Sequence, residues 1–251
     1  MNIKIIVCTH KAYPMPDDPM YLPLQVGRAI HEDLGYAGDH TGAQISVKNP
    51  NYCELTGLYW AWKNLEADYI GLCHYRRHFR GSTSGDKWQR VLTSAQAQTL
   101  LGRAQVVLPK QRNYFIETNY SQYIHAHHQA DLDTTRDILA RRWADYLPAY
   151  DKVMASTKGH RFNMMIMRRE LLDQYCRWLF DVLFTLEEEL DISGYSDYDA
   201  RVFGFVSERL LDVWLEKNQI DYTEVPVVSM ESQNWLKKGT AFLMRKLRGK
   251  R

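Results

Sequence analysis

Two short apolar runs, Ile3–Cys8 and Ile70–Cys73, stop abruptly at polar, cation-bearing residues. The first ends at Thr9-His10; the second ends at His74-Tyr75-Arg76-Arg77-His78-Phe79-Arg80. Runs this short and this apolar suit buried strands in a sheet with helices on its faces. Between them, residues 52–66 carry Leu55, Leu58, Tyr59 and Trp62 at helical spacing. The alternation continues down the chain. A helix is expected near 93–102, a strand at 104–108 closed by Pro109, and a helix over 122–142. A further strand is expected from Arg161 to Met167. From Leu171 to Leu190 the apolar residues trace one face of a long helix, and a second long helix is expected over about 198–217. A last strand covers roughly 222–228, while residues 35–51 and 110–121 read as loop. Strand and helix in turn predict an α/β chain with a largely parallel sheet.

Several classes of protein are excluded or disfavoured. No apolar run approaches the eighteen or so residues of a membrane span, and the N-terminus reads as a strand, not a signal peptide. Cys8, Cys53, Cys73 and Cys176 are scattered without a CxxC pair, against a zinc ribbon or disulfide framework and for a reducing cytoplasm. Seven of the 32 Lys and Arg residues fall in Lys237–Arg251, which has no acidic residue, so the remainder is net acidic. Trp235, Leu236, Phe242, Leu243 and Leu247 are interleaved with those charges. Such a segment fits a helix lying on an anionic membrane surface; a solvated terminus is the plainer alternative. Nucleic acid is not an expected partner, because the body of the chain is not basic.

In open α/β sheets ligands bind beyond the carboxyl ends of strands. Arg76, Arg77 and Arg80 at such an end concentrate positive charge, and guanidinium forks suit the oxygens of a diphosphate. A surface ion-pair cluster is the competing reading. In Ser196-Asp197-Tyr198-Asp199, Ser196 and Asp199 have the spacing of a capping box, which leaves Asp197 as the likelier general base of the two carboxylates. Glu208 and Arg209 fit an internal ion pair. Asp39, Glu54 and Thr56 can accept or donate at sugar hydroxyls, though each is also a common structural residue. His125, His127 and His128 lack the HExxH spacing of a helical zinc site; His128 and Asp131, three apart, can pair. No P-loop, Rossmann glycine fingerprint or nucleophile elbow is present.

The stretches CELTGLYWAWKN, DYIGLCHYRRHF, FNMMIMRRELLDQYCRWLFDVL and RVFGFVSERLLDVWL together resemble a bacterial family of capsular, exopolysaccharide and O-antigen biosynthesis glycosyltransferases, long catalogued as a domain of unknown function. THKAYPMPDDPMYLPLQVG and GDHTGAQIS fit the same pattern, so the resemblance covers roughly residues 5–217. It implies a GT-A-like, Rossmann-type fold over residues 1–234 with a helical C-terminal part, followed by the basic tail at 235–251. It also implies transfer of a sugar, galactofuranose among those used by relatives, from a UDP-sugar donor to a growing, lipid-linked surface glycan. The cytoplasmic side of the inner membrane is the expected place.

Carried onto this chain, the resemblance puts Thr9 and His10 where such folds hold the nucleotide; with Asp39, Gly42, Glu54, Thr56, Arg76 and Arg77 they are the expected donor contacts. His128, Asn163 and Tyr195 are the expected acceptor contacts. The catalytic set is Asp197 or Asp199 as base, with Arg76, Arg77 and His74 at the leaving group. Many GT-A enzymes carry an Asp-x-Asp metal site where this chain has His74 to Arg77, so an inverting, metal-independent transfer is expected, with no cofactor. The alternative is a non-catalytic protein that binds a nucleotide-sugar or carbohydrate.

Overall fold

The computed structural model describes residues 1–231; the basic tail expected at 235–251 lies outside them. In chain order the elements are β1 (Ile3–Thr9), β2 (Tyr21–Gln25), β3 (Ala37–Gly38), α1 (Asn49–Tyr52), α2 (Leu55–Asn64), β4 (Tyr69–His74) and β5 (Arg77–Phe79). They continue with α3 (Ser94–Leu101), β6 (Val106–Pro109), β7 (Arg112–Asn113), α4 (Asn119–Ile124), α5 (Gln129–Arg142) and α6 (Leu147–Ala155). The last are β8 (Lys158–Gly159), β9 (Met165–Arg168), α7 (Arg169–Glu189), α8 (Val202–Asn218), β10 (Thr223–Val225) and β11 (Val227–Ser229).

The main sheet has the order β10-β6-β9-β4-β1-β2-β3. The pairs β1–β2, β1–β4, β2–β3 and β6–β10 are parallel, whereas β9 runs antiparallel to both β4 and β6. Central position explains the apolar runs: Ile5, Ile6, Val7, Ile70, Leu72 and Cys73 are fully buried. Gly71 is needed within β4, since a Cβ there would sit 2.9 Å from the carbonyl oxygen of Met165 on β9. One face of the sheet packs against α2, α7 and α8, with Leu172, Tyr175, Leu179, Phe180, Leu183 and Leu186 of α7 in that core. The other face is covered by α3 and the antiparallel β5–β11 pair, around Phe79, Val91, Ala97 and Val228.

Several boundaries differ from the sequence pattern for identifiable reasons. The expected helix at 52–66 begins only at Leu55, because Cys53 has φ of 52° and separates it from α1, which occupies the end of the expected loop 35–51. The expected strand from Arg161 begins only at Met165, since Phe162 and Asn163 lie in left-handed backbone at φ 76° and 52°. The stretch 122–142 divides into α4 and α5 around His125–His128. Residues between 143 and 160, without an expected element, contain α6, whose Pro148 in the first turn is the available signal. Pro226 splits the last strand: β10 joins β6 and β11 joins β5.

His78 on β5 gives a pH prediction. It is fully buried, with Nδ1 3.5 Å from the Cys73 thiol and Nε2 donating to the Tyr75 carbonyl at 3.3 Å. Burial dominates and lowers its pKa to about 4. The unfolded chain therefore binds a proton, near pH 6.5, that the folded chain refuses until about pH 4. Stability is complete above pH 6.5 and should fall by roughly 3 kcal/mol as pH drops to 4. Urea melts at pH 7 and 4.5 should show this slope, flattened in His78→Phe; an unchanged slope in the variant would refute it.

Candidate functional site

The carboxyl ends of β1, β2 and β4 open onto one cavity of about 830 Å³, the position that parallel sheet geometry favours for ligands. Its wall brings together Cys8 and His10 from β1 and its exit, Gln25 from β2, Glu54 at the start of α2, and His74, Arg76 and Arg77 from the β4–β5 turn. Phe162, Tyr198, Arg201, Phe205 and Glu208 close it from the C-terminal half of the chain.

The cationic turn is rigidly mounted. His74 and Arg77 pair across the β4–β5 turn. His74 Nε2 donates to the Phe162 carbonyl at 2.7 Å, and the Phe162 ring lies 4.4 Å from the Arg77 guanidinium carbon. The left-handed backbone at Phe162–Asn163 thus shapes the wall beneath Arg77. The Nε of Arg77 is buried and has no hydrogen-bond partner among the described residues. Burial first, then the neighbouring Arg76 charge, lowers the Arg77 pKa. Glu208 and Glu54, in the same wall, offset part of that lowering. Arg76 is more exposed and reaches Glu231 at 3.2 Å. His10 stands edge-on to Tyr75 at 5.3 Å, its pKa lowered by burial and then by Lys11, Arg76 and Arg201.

The wall carries three carboxylates, Glu32 at its exposed edge and Glu54 and Glu208 beside Phe162 and Asn163, and the last two differ in their remaining capacity. Glu208 is fully engaged: Oε1 accepts from the Phe162 N–H at 2.9 Å, and Oε2 accepts from Arg209 at 3.1 Å. The expected Glu208–Arg209 pair is therefore present, with Arg209 buried. Glu54 Oε1 accepts from Asn163 Nδ2 at 2.8 Å, and its other oxygen takes no hydrogen bond among the described residues. Asn163 also donates to the Gly204 carbonyl, so it positions Glu54 from behind and does not itself line the cavity.

Other candidate residues fall outside the wall. Thr9 is buried and closes a turn onto Lys11. Asp39 is buried and accepts from the Gly27 and Arg28 N–H groups and the Ser46 hydroxyl, which fixes its loop rather than a ribose. Thr56 bonds within the α1–α2 junction, and Gly42 packs its left-handed turn on Asn64. Asp197 is exposed, makes no side-chain hydrogen bond among the described residues and lines no part of the cavity.

Asp199 is held by Ser196, which donates to it at 2.7 Å and accepts from its N–H, as capping chemistry predicts. Ser196 first, and His127 after it, lower the Asp199 pKa, which makes it a weaker base. His128 does not pair with Asp131. Asp131 turns inward to Tyr123 and Tyr195, both at 2.7 Å, while His128 stacks on Tyr195 at 3.9 Å.

Gln25, Cys53, Arg201, Phe205 and Glu208 have no spacing that marks them as neighbours of the β4 turn, because each comes from a distant segment. A divalent cation fits poorly at that turn: its donor set is one imidazole and two guanidinium groups. Among the described residues no three His, Cys, Asp or Glu side chains gather to hold a metal ion.

Fold and cavity together define an α/β protein with a cavity at its parallel strand ends, lined by Arg76, Arg77 and Arg201. Residues 4–219 match the family described as "Domain of unknown function (DUF4422)", and the chain belongs to that family. No curated protein matches the chain. A solved structure, the apo form of the bifunctional glycosyltransferase WbbM, is similar, with a TM-score of 0.87 and 29% identity. The likeness covers 92% of this chain and 46% of WbbM, so the chain spans about half of that protein. The architecture is GT-A-like, as the sequence resemblance implied. Among the described residues no helix is long and apolar enough to cross a membrane.

Proposed function

We propose that the chain is a glycosyltransferase that takes a sugar from a UDP-sugar to a glycan acceptor with inversion and without a metal ion. The observation that carries this reading is Arg77, a desolvated cation in the wall of a cavity at the strand ends, whose buried Nε has no partner among the described residues. As the bond from the anomeric carbon to the diphosphate breaks, the electron pair leaves with UDP and charge grows on the β-phosphate. Arg77, with Arg76 beside it, stabilises that charge where it develops. Glu54 takes the proton of the acceptor hydroxyl, which attacks the anomeric carbon from the face opposite UDP. Glu54 replaces Asp197 in this role, because Glu54 lies in the same wall as Arg77 and has an oxygen to spare. Galactofuranose as the donor sugar, a lipid-linked acceptor and attachment of the tail to an anionic membrane surface belong to the same proposal.

Melting of the protein with UDP, with and without EDTA, tests the donor site. UDP at 100 times its dissociation constant should add about 2.7 kcal/mol of stability, and EDTA should leave that gain intact. Loss of the gain with EDTA would refute the metal-free reading, and no gain at all would refute the UDP site. Arg77→Met should lower turnover at saturating donor by about 10²–10³-fold, the usual cost of one charge-stabilising donor. A change confined to donor affinity would remove Arg77 from the leaving group. UDP binding without transfer to any glycan would favour the non-catalytic alternative.

A further inference from the structure

Among the large hydrophobic side chains exposed on the described residues, Tyr198 alone also lines the cavity, with 56% of it exposed. Its mounting is unusual for an exposed ring. Tyr198 stacks on His127 at 5.7 Å and 21°, and His127 stacks in turn on Phe205 at 4.3 Å and 28°. The His127 side chain is largely covered, and its Nδ1 lies 3.3 Å from Asp199, which Ser196 pins from the other side. The ring is therefore held in place before any ligand arrives, which reduces the entropy lost on binding.

Its neighbours indicate what it receives. The Arg201 guanidinium lies 5.9 Å from the Tyr198 ring and 5.4 Å from Phe205. Arg201 Nε also donates to the Cys53 sulfur at 3.1 Å, and Cys53 adjoins Glu54 in the chain. Arg201 and Cys53 thus link the stack to the chain segment that carries the proposed base, and all of them share one cavity wall with Arg76 and Arg77. An acceptor hydroxyl has to come within hydrogen-bond reach of the base, so its sugar ring lies next to Glu54. Sugar rings present a face of C–H bonds and an edge of hydroxyls. A fixed aromatic face takes the first through dispersion and weak C–H contacts, and leaves the edge to polar groups.

Resting on the transferase reading above, we propose that Tyr198, backed by His127 and Phe205, is the subsite that stacks on the acceptor's sugar ring. The probes are methyl glycosides of galactose, glucose, mannose and rhamnose, followed by saturation-transfer NMR on the UDP-loaded protein. At least one should receive saturation at its ring C–H protons, in wild type and in Tyr198→Phe. In Tyr198→Ala that transfer should fall about fivefold, in line with the energy of one aromatic contact. The dissociation constant of UDP should stay within about twofold in both variants, since a nucleobase contact would cost more. Absence of transfer to every glycoside, or equal transfer in Tyr198→Ala, would overturn the subsite. Weakened UDP binding in Tyr198→Ala would overturn it too, by assigning the ring to the nucleobase. If UDP fails to bind while a glycoside still depends on Tyr198, the transferase reading falls and the sugar subsite stands.

Discussion

Glu54→Gln is expected to lower turnover by about 10²–10⁴-fold, the usual contribution of a positioned general base, while UDP still raises the melting temperature. The geometry separates the two effects. Glutamine keeps the length of the side chain and can still meet Asn163 through its carbonyl oxygen, where Glu54 now accepts at 2.8 Å. What is lost is the lone pair that receives the acceptor's proton. Glu54→Asp should also fail, because retracting the carboxylate by one methylene displaces it by about 1 Å, enough to cost about 10²-fold. Glu208→Gln is the comparison: both Glu208 oxygens are already engaged, by Phe162 N–H and Arg209, so its loss should act on the wall's shape and on stability. Near-normal turnover in Glu54→Gln with an inactive Glu208→Gln would move the base to Glu208. Inactivity of Asp197→Asn alone would return the role to the loop before α8.

His160→Ala should destabilise the fold by about 2–4 kcal/mol, the cost of emptying a buried site and of taking a hydrogen-bond partner from a buried carboxylate. His160 is 1% exposed and stands between two carboxylates. Its Nδ1 meets Asp212 of α8, and its Nε2 lies 3.0 Å from Glu224 of β10. The His160 N–H also donates to Asp212 at 2.9 Å. The ring thus bridges α8 and β10, with a carboxylate facing each of its nitrogens. Without the imidazole, Asp212 keeps one backbone donor in an enclosed site, and β10 loses its tie to α8. For a domain this size the melting temperature should drop by about 10 °C. Adding Asp212→Asn to His160→Ala should recover part of the loss, because the stranded charge disappears. A loss under about 1 kcal/mol in His160→Ala would mean the cluster is energetically neutral.

The elements legible in the sequence are those whose signal is local. β1, β4, α3 and α7 follow from apolar runs and from 3–4 spacing, and their burial in the sheet and its helical layer matches that pattern. The place of His74 to Arg77 at a cavity mouth was legible because the apolar run before them marks the end of a buried strand. Asp39 and Thr56 misled for the opposite reason: a polar residue that ties a loop together looks the same in sequence as one that meets a ligand. The left-handed backbone at Phe162–Asn163 carries no glycine to announce it, so the strand was expected three or four residues too early.

By itself, then, the sequence determined the α/β class, the membership of a family and the cationic turn, since each rests on residues close together in the chain. Only the tertiary structure decided what stands opposite that turn. Asn163 reaches Glu54 across 109 positions, and Arg201 reaches Cys53 across 148. The Tyr198–His127–Phe205 stack likewise joins the end of α4 to the start of α8. Contacts at such separations leave no periodicity in the chain; they exist because burial of the helices against the sheet brings those segments to one wall.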